Sequence, residues 1–213
     1  MNLSNLNLGQ LDTTIACLDK ALAHFPSAQI AFRRITKTKT PTQPLNIDLY
    51  ANHAQAEQTC RSFGIPLLDA RPEDGFSWDG GSIATQTETA VLLHELAHWQ
   101  IAPGARRCLP DFGLGAGPET GSNEISNAAC RVNQQTKEKE ENLASLLGVL
   151  WEVELGGPAI IAFCEQNWLE LVDRPGAASH FLSVFEDLQM RKLIDQSGHP
   201  TMGQQNSLWR QSP

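Results

Sequence analysis

The sequence predicts an α+β domain, with a small N-terminal sheet followed by a helix-rich C-terminal half. Three observations carry this. Leu45, Ile47 and Leu49 alternate with polar residues, and short apolar stretches near 65–69 and at Ser82-Ile83-Ala84 read as further strands. Beyond residue 85, apolar residues recur at the three- and four-residue spacing of amphipathic helices. Pro and Gly clusters at 103–104, 156–158 and 173–176 divide that half into separate helices.

Along the chain, Leu11, Ile15, Leu18, Leu22 and Phe25 predict an amphipathic helix over 10–24, stopped at Pro26. Residues 28–36 are expected to form a strand, and the Pro-interrupted, polar stretch 36–44 a linker. A strand over 45–50, a short helix near 52–63 and a strand near 65–69 follow, then a loop over 70–81. Thr85 and Glu88 stand in the Ser/Thr-x-x-Glu spacing of a capping box, which starts the next helix and carries it to about Ala102. The segment 103–123 holds five glycines and three prolines, too many for regular structure. Helices are expected over 126–155, 159–171 and 178–195, followed by a polar, loose tail. The domain reading is one unit over 1–197 with an N-terminal arm over about 1–44, and the tail over 198–213.

At 213 residues the chain is long enough to bury a core without disulfides or metal. No apolar run approaches the roughly 18 residues of a membrane span, and the N-terminus lacks the pattern of a secretory signal, so no membrane association is expected. The five cysteines are odd in number and form no Cys-x-x-Cys pair, which fits free thiols in the cytoplasm. A net charge of −8 with no basic run argues against direct nucleic-acid binding but leaves a basic protein partner open. Oligomeric state is not legible.

The chemistry is concentrated in His94-Glu95-Leu96-Ala97-His98. Residues four apart share a helix face, so His94 and His98 can present two imidazoles to one metal ion. Glu95 can reach the same site, where hydrolytic enzymes of this pattern use such a residue as general base toward a metal-bound water. Two of the chain's six histidines occupy this pattern, while His24, His53, His180 and His199 have no such neighbour.

A third protein ligand is needed, and the run Lys137-Glu138-Lys139-Glu140-Glu141 on the next long helix is its best source. Glu140 shares a face with Leu143 and Leu147. Glu141 shares one with Ala144, Ser145 and Gly148, a low-bulk strip suited to close approach of another helix. Glu138 and Glu141 are three apart and can point into one site. Periodicity alone leaves Glu138, Glu140 and Glu141 all open. After the motif, Asp111 can orient a ligand histidine through its second ring nitrogen. Arg106 and Arg107 can hold a carboxylate or phosphate, or the loop can be tied down by an Arg–Asp pair. Trp99 completes the candidate surroundings.

The segments His94-Glu-Leu-Ala-His-Trp99, Ile101-Ala102, Ala105-Arg106-Arg107 and Asp111-Phe112-Gly113 together resemble the signature of the elongation factor P hydroxylase family. The match resumes from Glu138-x-x-Glu141 to Gly156-x-Pro158, so the resemblance covers about 65 residues, roughly 94–158. It implies an iron-dependent monooxygenase that hydroxylates a lysine-type side chain on a translation factor, with His94, His98 and Glu141 as ligands to Fe²⁺, Glu138 second in line, and Glu95 relaying protons. The sequence departs from the family where Leu114-Gly-Ala-Gly-Pro-Glu-Thr-Gly121 replaces an aromatic-rich stretch, and where Ala144 replaces a proline. The competing reading is a Zn²⁺ metallopeptidase with Glu95 as general base; a third is an interaction module with a relict metal site. All three readings expect a zincin-like placement of the His-Glu-x-x-His helix.

Overall fold

The computed structural model describes residues 10–38, 48–72, 77–116, 123–169 and 176–202. These residues form eight α-helices and a two-stranded parallel sheet, so the fold is α+β and mostly helical. By internal contacts the chain divides into two compact units, one of residues 49–148 and one joining 1–48 to 149–213. The sequence reading expects one domain with an N-terminal arm. The described part of that arm instead consists of two core helices.

In the unit that joins both ends of the chain, α1 (Leu11–Ala21) and α2 (Pro26–Thr36) pack on each other. Residues 28–36 are helical rather than the expected strand. Ala28, Ala31, Phe32 and Ile35 fall on one helical face, and all four are buried. Pro26 starts α2 rather than stopping α1, because its missing N–H costs nothing in a first turn. The remaining helices of this unit are α7 (Ala159–Glu165) and α8 (Ala177–Met190). Phe32, Phe163, Trp168 and Phe181 form an aromatic core, with Phe32 centred 5.9 Å from Phe163 and 6.0 Å from Phe181. Two helices end earlier than their patterns predict. α7 gives way to a left-handed Asn167, and α8 to a left-handed Lys192.

The segment expected to be loose from residue 198 is fastened as far as it is described. Asp195 Oδ1 accepts the N–H groups of Ser197 and His199, and His199 Nδ1 lies 2.8 Å from Glu154 Oε2. Gly198 has φ +75° and packs so closely that a Cβ there would lie 2.6 Å from the Cβ of Ala31. Trp209 and the rest of 203–213 lie outside the described residues.

In the unit of residues 49–148, α3 (His53–Ser62) leads to β1 (Leu67–Leu68), which pairs in parallel with β2 (Ile83–Ala84). Trp78 adds an antiparallel bridge to Ile83. The sheet is therefore confined to the middle of the chain. The strand expected over 45–50 is absent from its described part, where Leu49 and Tyr50 lie in a turn; 45–47 lie outside the described residues. The Leu49 carbonyl accepts the first N–H of α4 (Thr89–Ile101) at 3.1 Å.

The expected capping box does not form. Thr85 is held by the end of the sheet, its N–H and hydroxyl both directed to the Leu68 carbonyl, and α4 begins later with Glu88 as an uncapped N-cap. At the other end Ala102 turns extended before Pro103, as the sequence predicts. The helix expected over 126–155 is two, α5 (Asn123–Ala129) and α6 (Gln134–Glu154). Asn133 Oδ1 accepts the Thr136 N–H at 2.8 Å and so caps a new start. Between the helices, the Arg131 N–H donates to the Gly113 carbonyl at 2.9 Å. No described helix is long and apolar enough to cross a membrane.

Two glycines separate packing from backbone strain. Gly64 also has a positive φ, +74°, but nothing lies within 4 Å of where its Cβ would be. Gly64→Ala is expected to cost about 1–2 kcal/mol from the left-handed backbone alone. Gly198→Ala adds an overpacking cost of about 1–3 kcal/mol. Urea denaturation of the two variants measures the difference, and equal losses would refute the close packing at Ala31.

Candidate metal centre

His94, Glu95 and His98 lie in the middle of α4, whose Leu92, Leu93, Leu96, Ala97 and Ile101 are buried and fix its rotation. His94 Nε2 and His98 Nε2 are 3.0 Å apart. From α6, Glu141 brings Oε2 to 3.5 Å from His94 Nε2 and 3.4 Å from His98 Nε2. Three ligand atoms thus converge on one point, in a group able to hold a metal ion. A tetrahedral ion with bonds of about 2.0–2.1 Å would keep its ligand atoms about 3.3 Å apart. The observed separations match that requirement, and imidazole and carboxylate donors suit a first-row divalent ion.

The approach of α6 depends on Gly148. A Cβ at this position would lie 3.1 Å from His94 Cα and 3.3 Å from the Leu93 carbonyl oxygen, so only a glycine lets the backbones meet without adjustment. The low-bulk strip Glu141-Ala144-Ser145-Gly148 is thus the face that meets α4. Of the other two candidates, Glu138 is exposed and accepts from Gln134 Nε2 at 2.8 Å. Glu140 is buried against Arg106, with Nη2 at 2.6 and 2.7 Å from its two oxygens. Neither belongs to the converging group.

At His94 and Glu141 the electrostatics favour the protonation states that a metal needs, whereas at His98 they favour the proton that an ion would have to displace. Burial pushes His94 below the usual imidazole range, and neighbouring His98 adds to this. Burial also acts against a charged His98, but Glu141, helped by Glu95 and Glu140, raises it overall. Burial alone would push Glu141 up, yet the two imidazoles hold its carboxyl well below the usual range. Burial raises Glu95 to about 7; His98 opposes the shift, and Asp111 and Glu141 reinforce it. A carboxylate poised near neutral pH is suited to exchange a proton with a reacting group.

The residues after the motif surround the pair, though not all in the expected roles. Asp111 accepts from Ser126 Oγ at 2.7 Å, while His94 Nδ1 is buried with no hydrogen-bond partner among the described residues. Arg106 is tied to Glu140 and to the Phe112 carbonyl. The loop is therefore pinned by an Arg–Glu pair, not an Arg–Asp pair. Arg107 donates through Nε to the Ala102 carbonyl, and its guanidinium lies 4.8 Å from the Trp99 ring centroid. Trp99 meets Trp78 edge to face at 5.3 Å.

Sequence reasoning missed Trp78. It is buried in the segment read as loop, stacks on Phe112 at 5.2 Å, and Phe112 in turn stacks on His98 at 5.5 Å. Its one signal was a large aromatic residue in a Gly- and Asp-rich stretch. Lys137 was read as part of a charge run. Its Nζ donates to the carbonyls of Gly115 and Ala116 at 3.1 and 2.6 Å, tying the glycine-rich segment to α6 one turn before Glu141.

Comparison with known proteins finds no matching family model, no matching curated protein and no matching solved structure.

His94→Ala, His98→Ala and Glu141→Ala are each expected to abolish stoichiometric metal binding, while Glu138→Ala and His180→Ala retain it. Elemental analysis of the purified variants reads the outcome directly, and full metal in the Glu141 variant would remove α6 from the centre. Gly148→Ala should weaken Zn²⁺ binding while leaving all three ligands in place, as a chelator competition assay would report.

Proposed function

We propose that the chain is a metal-dependent enzyme in which His94, His98 and Glu141 hold one divalent ion and Glu95 moves a proton beside it. The observation that carries this reading is the convergence of three ligand atoms from two helices, at separations of 3.0, 3.4 and 3.5 Å. Within that class we infer an Fe²⁺-dependent monooxygenase that hydroxylates a lysine-type side chain of a cytoplasmic protein, possessing the activity implied by its resemblance to the elongation factor P hydroxylase family. Two points support the inference. A two-histidine, one-carboxylate donor set with open positions suits ferrous oxygen chemistry. Of the residues that carry the resemblance, Phe112 stacks on His98, Asp111 is near enough to act on Glu141 and His98, and Arg106 holds Glu140, the neighbour of Glu141.

The ion, when bound, supplies activation of the oxidant. This chain's own residues do the rest. Glu95 accepts or returns a proton at its carboxylate, and His98 keeps its orientation through the face of Phe112. Phe112 covers one face of His98 with an apolar ring, and buried Trp78 stacks behind it, which limits water on that face.

A zincin-like Zn²⁺ metallopeptidase is the second reading. The observation that favours it is Glu95 itself, raised to about 7 beside the histidine pair, as a hydrolytic general base requires.

Full-length chain purified without oxygen and analysed for metal content, then for oxygen uptake, separates the two readings. Stoichiometric iron, with uptake stimulated by a lysine-bearing translation factor, is the expected result. Zinc with peptide hydrolysis and no oxygen uptake would transfer the assignment to the peptidase, and absence of any metal would overturn both. In either chemistry Glu95→Gln should lower turnover about 10²- to 10⁴-fold with metal content unchanged.

A further inference from the structure

Beyond the three ligand atoms, one side chain touches the supports of both helices' contributions. Arg106 lies in a short 3₁₀ turn after α4, and both it and Glu140 are 9% exposed. Its Nη2 donates to the two oxygens of Glu140 at 2.6 and 2.7 Å, and its Nη1 donates to the Phe112 carbonyl at 3.0 Å. Glu140 immediately precedes Glu141, so an anchored Glu140 fixes the rotation of α6 about its axis. One residue corresponds to about 100° of that rotation, which is the difference between Glu141 facing the histidines and missing them. On the other side, Phe112 holds a left-handed backbone, φ +52°, and its ring lies on His98 at 5.5 Å.

We propose that Arg106 is the positioning residue of the metal centre, setting the carboxylate ligand through Glu140 and the second histidine through the backbone carbonyl of Phe112. The proposal rests on the metal-centre reading and adds a residue that no search for ligands finds, because a guanidinium does not ligate a cation. The role demands arginine. Its planar fork directs donors in two directions at once, whereas a lysine at this position would keep the charge but not both contacts. Partners that orient metal ligands in this way typically account for about 10- to 100-fold in metal affinity.

The test compares full-length wild type, Arg106→Lys and the double variant Arg106→Met/Glu140→Met, with His98→Ala as control. Each is titrated with Zn²⁺ against a chromophoric chelator, and the visible spectrum of the Co²⁺ form is recorded. Arg106→Lys is expected to weaken Zn²⁺ binding about 10- to 100-fold and to shift the Co²⁺ bands, with helical circular dichroism retained. The double variant replaces the buried pair with apolar chains of similar size, a change that often leaves folding intact. It should show the same loss of affinity while the metal-free melting temperature holds, which a merely structural role would not produce. Wild-type affinity and an unchanged Co²⁺ spectrum in either folded variant would overturn the proposal. If one variant fails to fold, the other decides. A wild type that binds neither ion, or binds equally well after His98→Ala, overturns the metal centre itself. That failure is distinct, because it appears before any Arg106 variant is compared.

Discussion

The centre depends on the close approach of two helix backbones at Gly148. The two histidines come from α4 and the carboxylate from α6, and imidazole and carboxylate side chains are short. Their donor atoms meet only if the helix axes come near each other. A side chain at 148 would press on His94 Cα and on the Leu93 carbonyl, so the absence of a Cβ sets the distance at which Glu141 arrives. The cost of a glycine inside a helix is about 1 kcal/mol relative to alanine. That is small beside the energy that an ion held there would return, which for structural zinc sites is on the order of 10 kcal/mol or more. The strip Glu141-Ala144-Ser145-Gly148 reads as a device that exchanges a little helix stability for ligand geometry.

A second constraint is electrostatic. Glu95, Glu141 and Asp111 stand close enough to act on one another, and burial raises both Glu95 and Asp111. Such a cluster is stable without an ion only if opposing charges are near. His98 supplies part of that compensation at Glu95, Glu141 and Asp111, and Lys137 adds to it at Asp111. Arg106 is committed elsewhere, to Glu140. The buried Arg106–Glu140 pair contributes little net stability beyond an apolar pair of the same volume, but removing one partner alone would cost about 3–5 kcal/mol. Its value therefore lies in specifying an arrangement. It ties a turn next to α4 to one residue on α6, the neighbour of the carboxylate ligand.

What the sequence discloses about this centre is what is local. His94, Glu95 and His98 are legible because a helix of period 3.6 forces residues four apart together, and the buried positions of α4 follow the same rule. The low-bulk strip was also legible as a pattern, although nothing in it says which helix it meets. The Arg106–Glu140 pair was not legible, since 34 residues separate the two side chains, and each was read for another role: Arg106 as an anion holder or half of an Arg–Asp pair, Glu140 as one of three candidate ligands. The capping box at Thr85 failed for a related reason. A hydrogen bond to Leu68, distant in sequence, competes with the local cap and wins. Residues 28–36, expected as a strand, are helical because Ile30 is exposed and the helically spaced set Ala28, Ala31, Phe32 and Ile35 is the buried one.

The turn Asp111-Phe112-Gly113 shows how the centre sustains a conformation that its residues do not prefer. Asp111 and Phe112 have φ of +47° and +52°, and neither is glycine. Two such residues cost about 1–3 kcal/mol each. Burying the Phe112 ring returns about 1.5–3 kcal/mol against that total of about 2–6 kcal/mol. Specific contacts also hold the turn, namely the Arg106 donor on the Phe112 carbonyl, the Ser126 hydroxyl on Asp111, and the Trp78 ring against Phe112. Relaxing the turn would release the strain but swing the Phe112 ring away from His98. The strain and the orientation of the histidine are therefore two consequences of one turn, and the contacts that hold the turn also support the ligand.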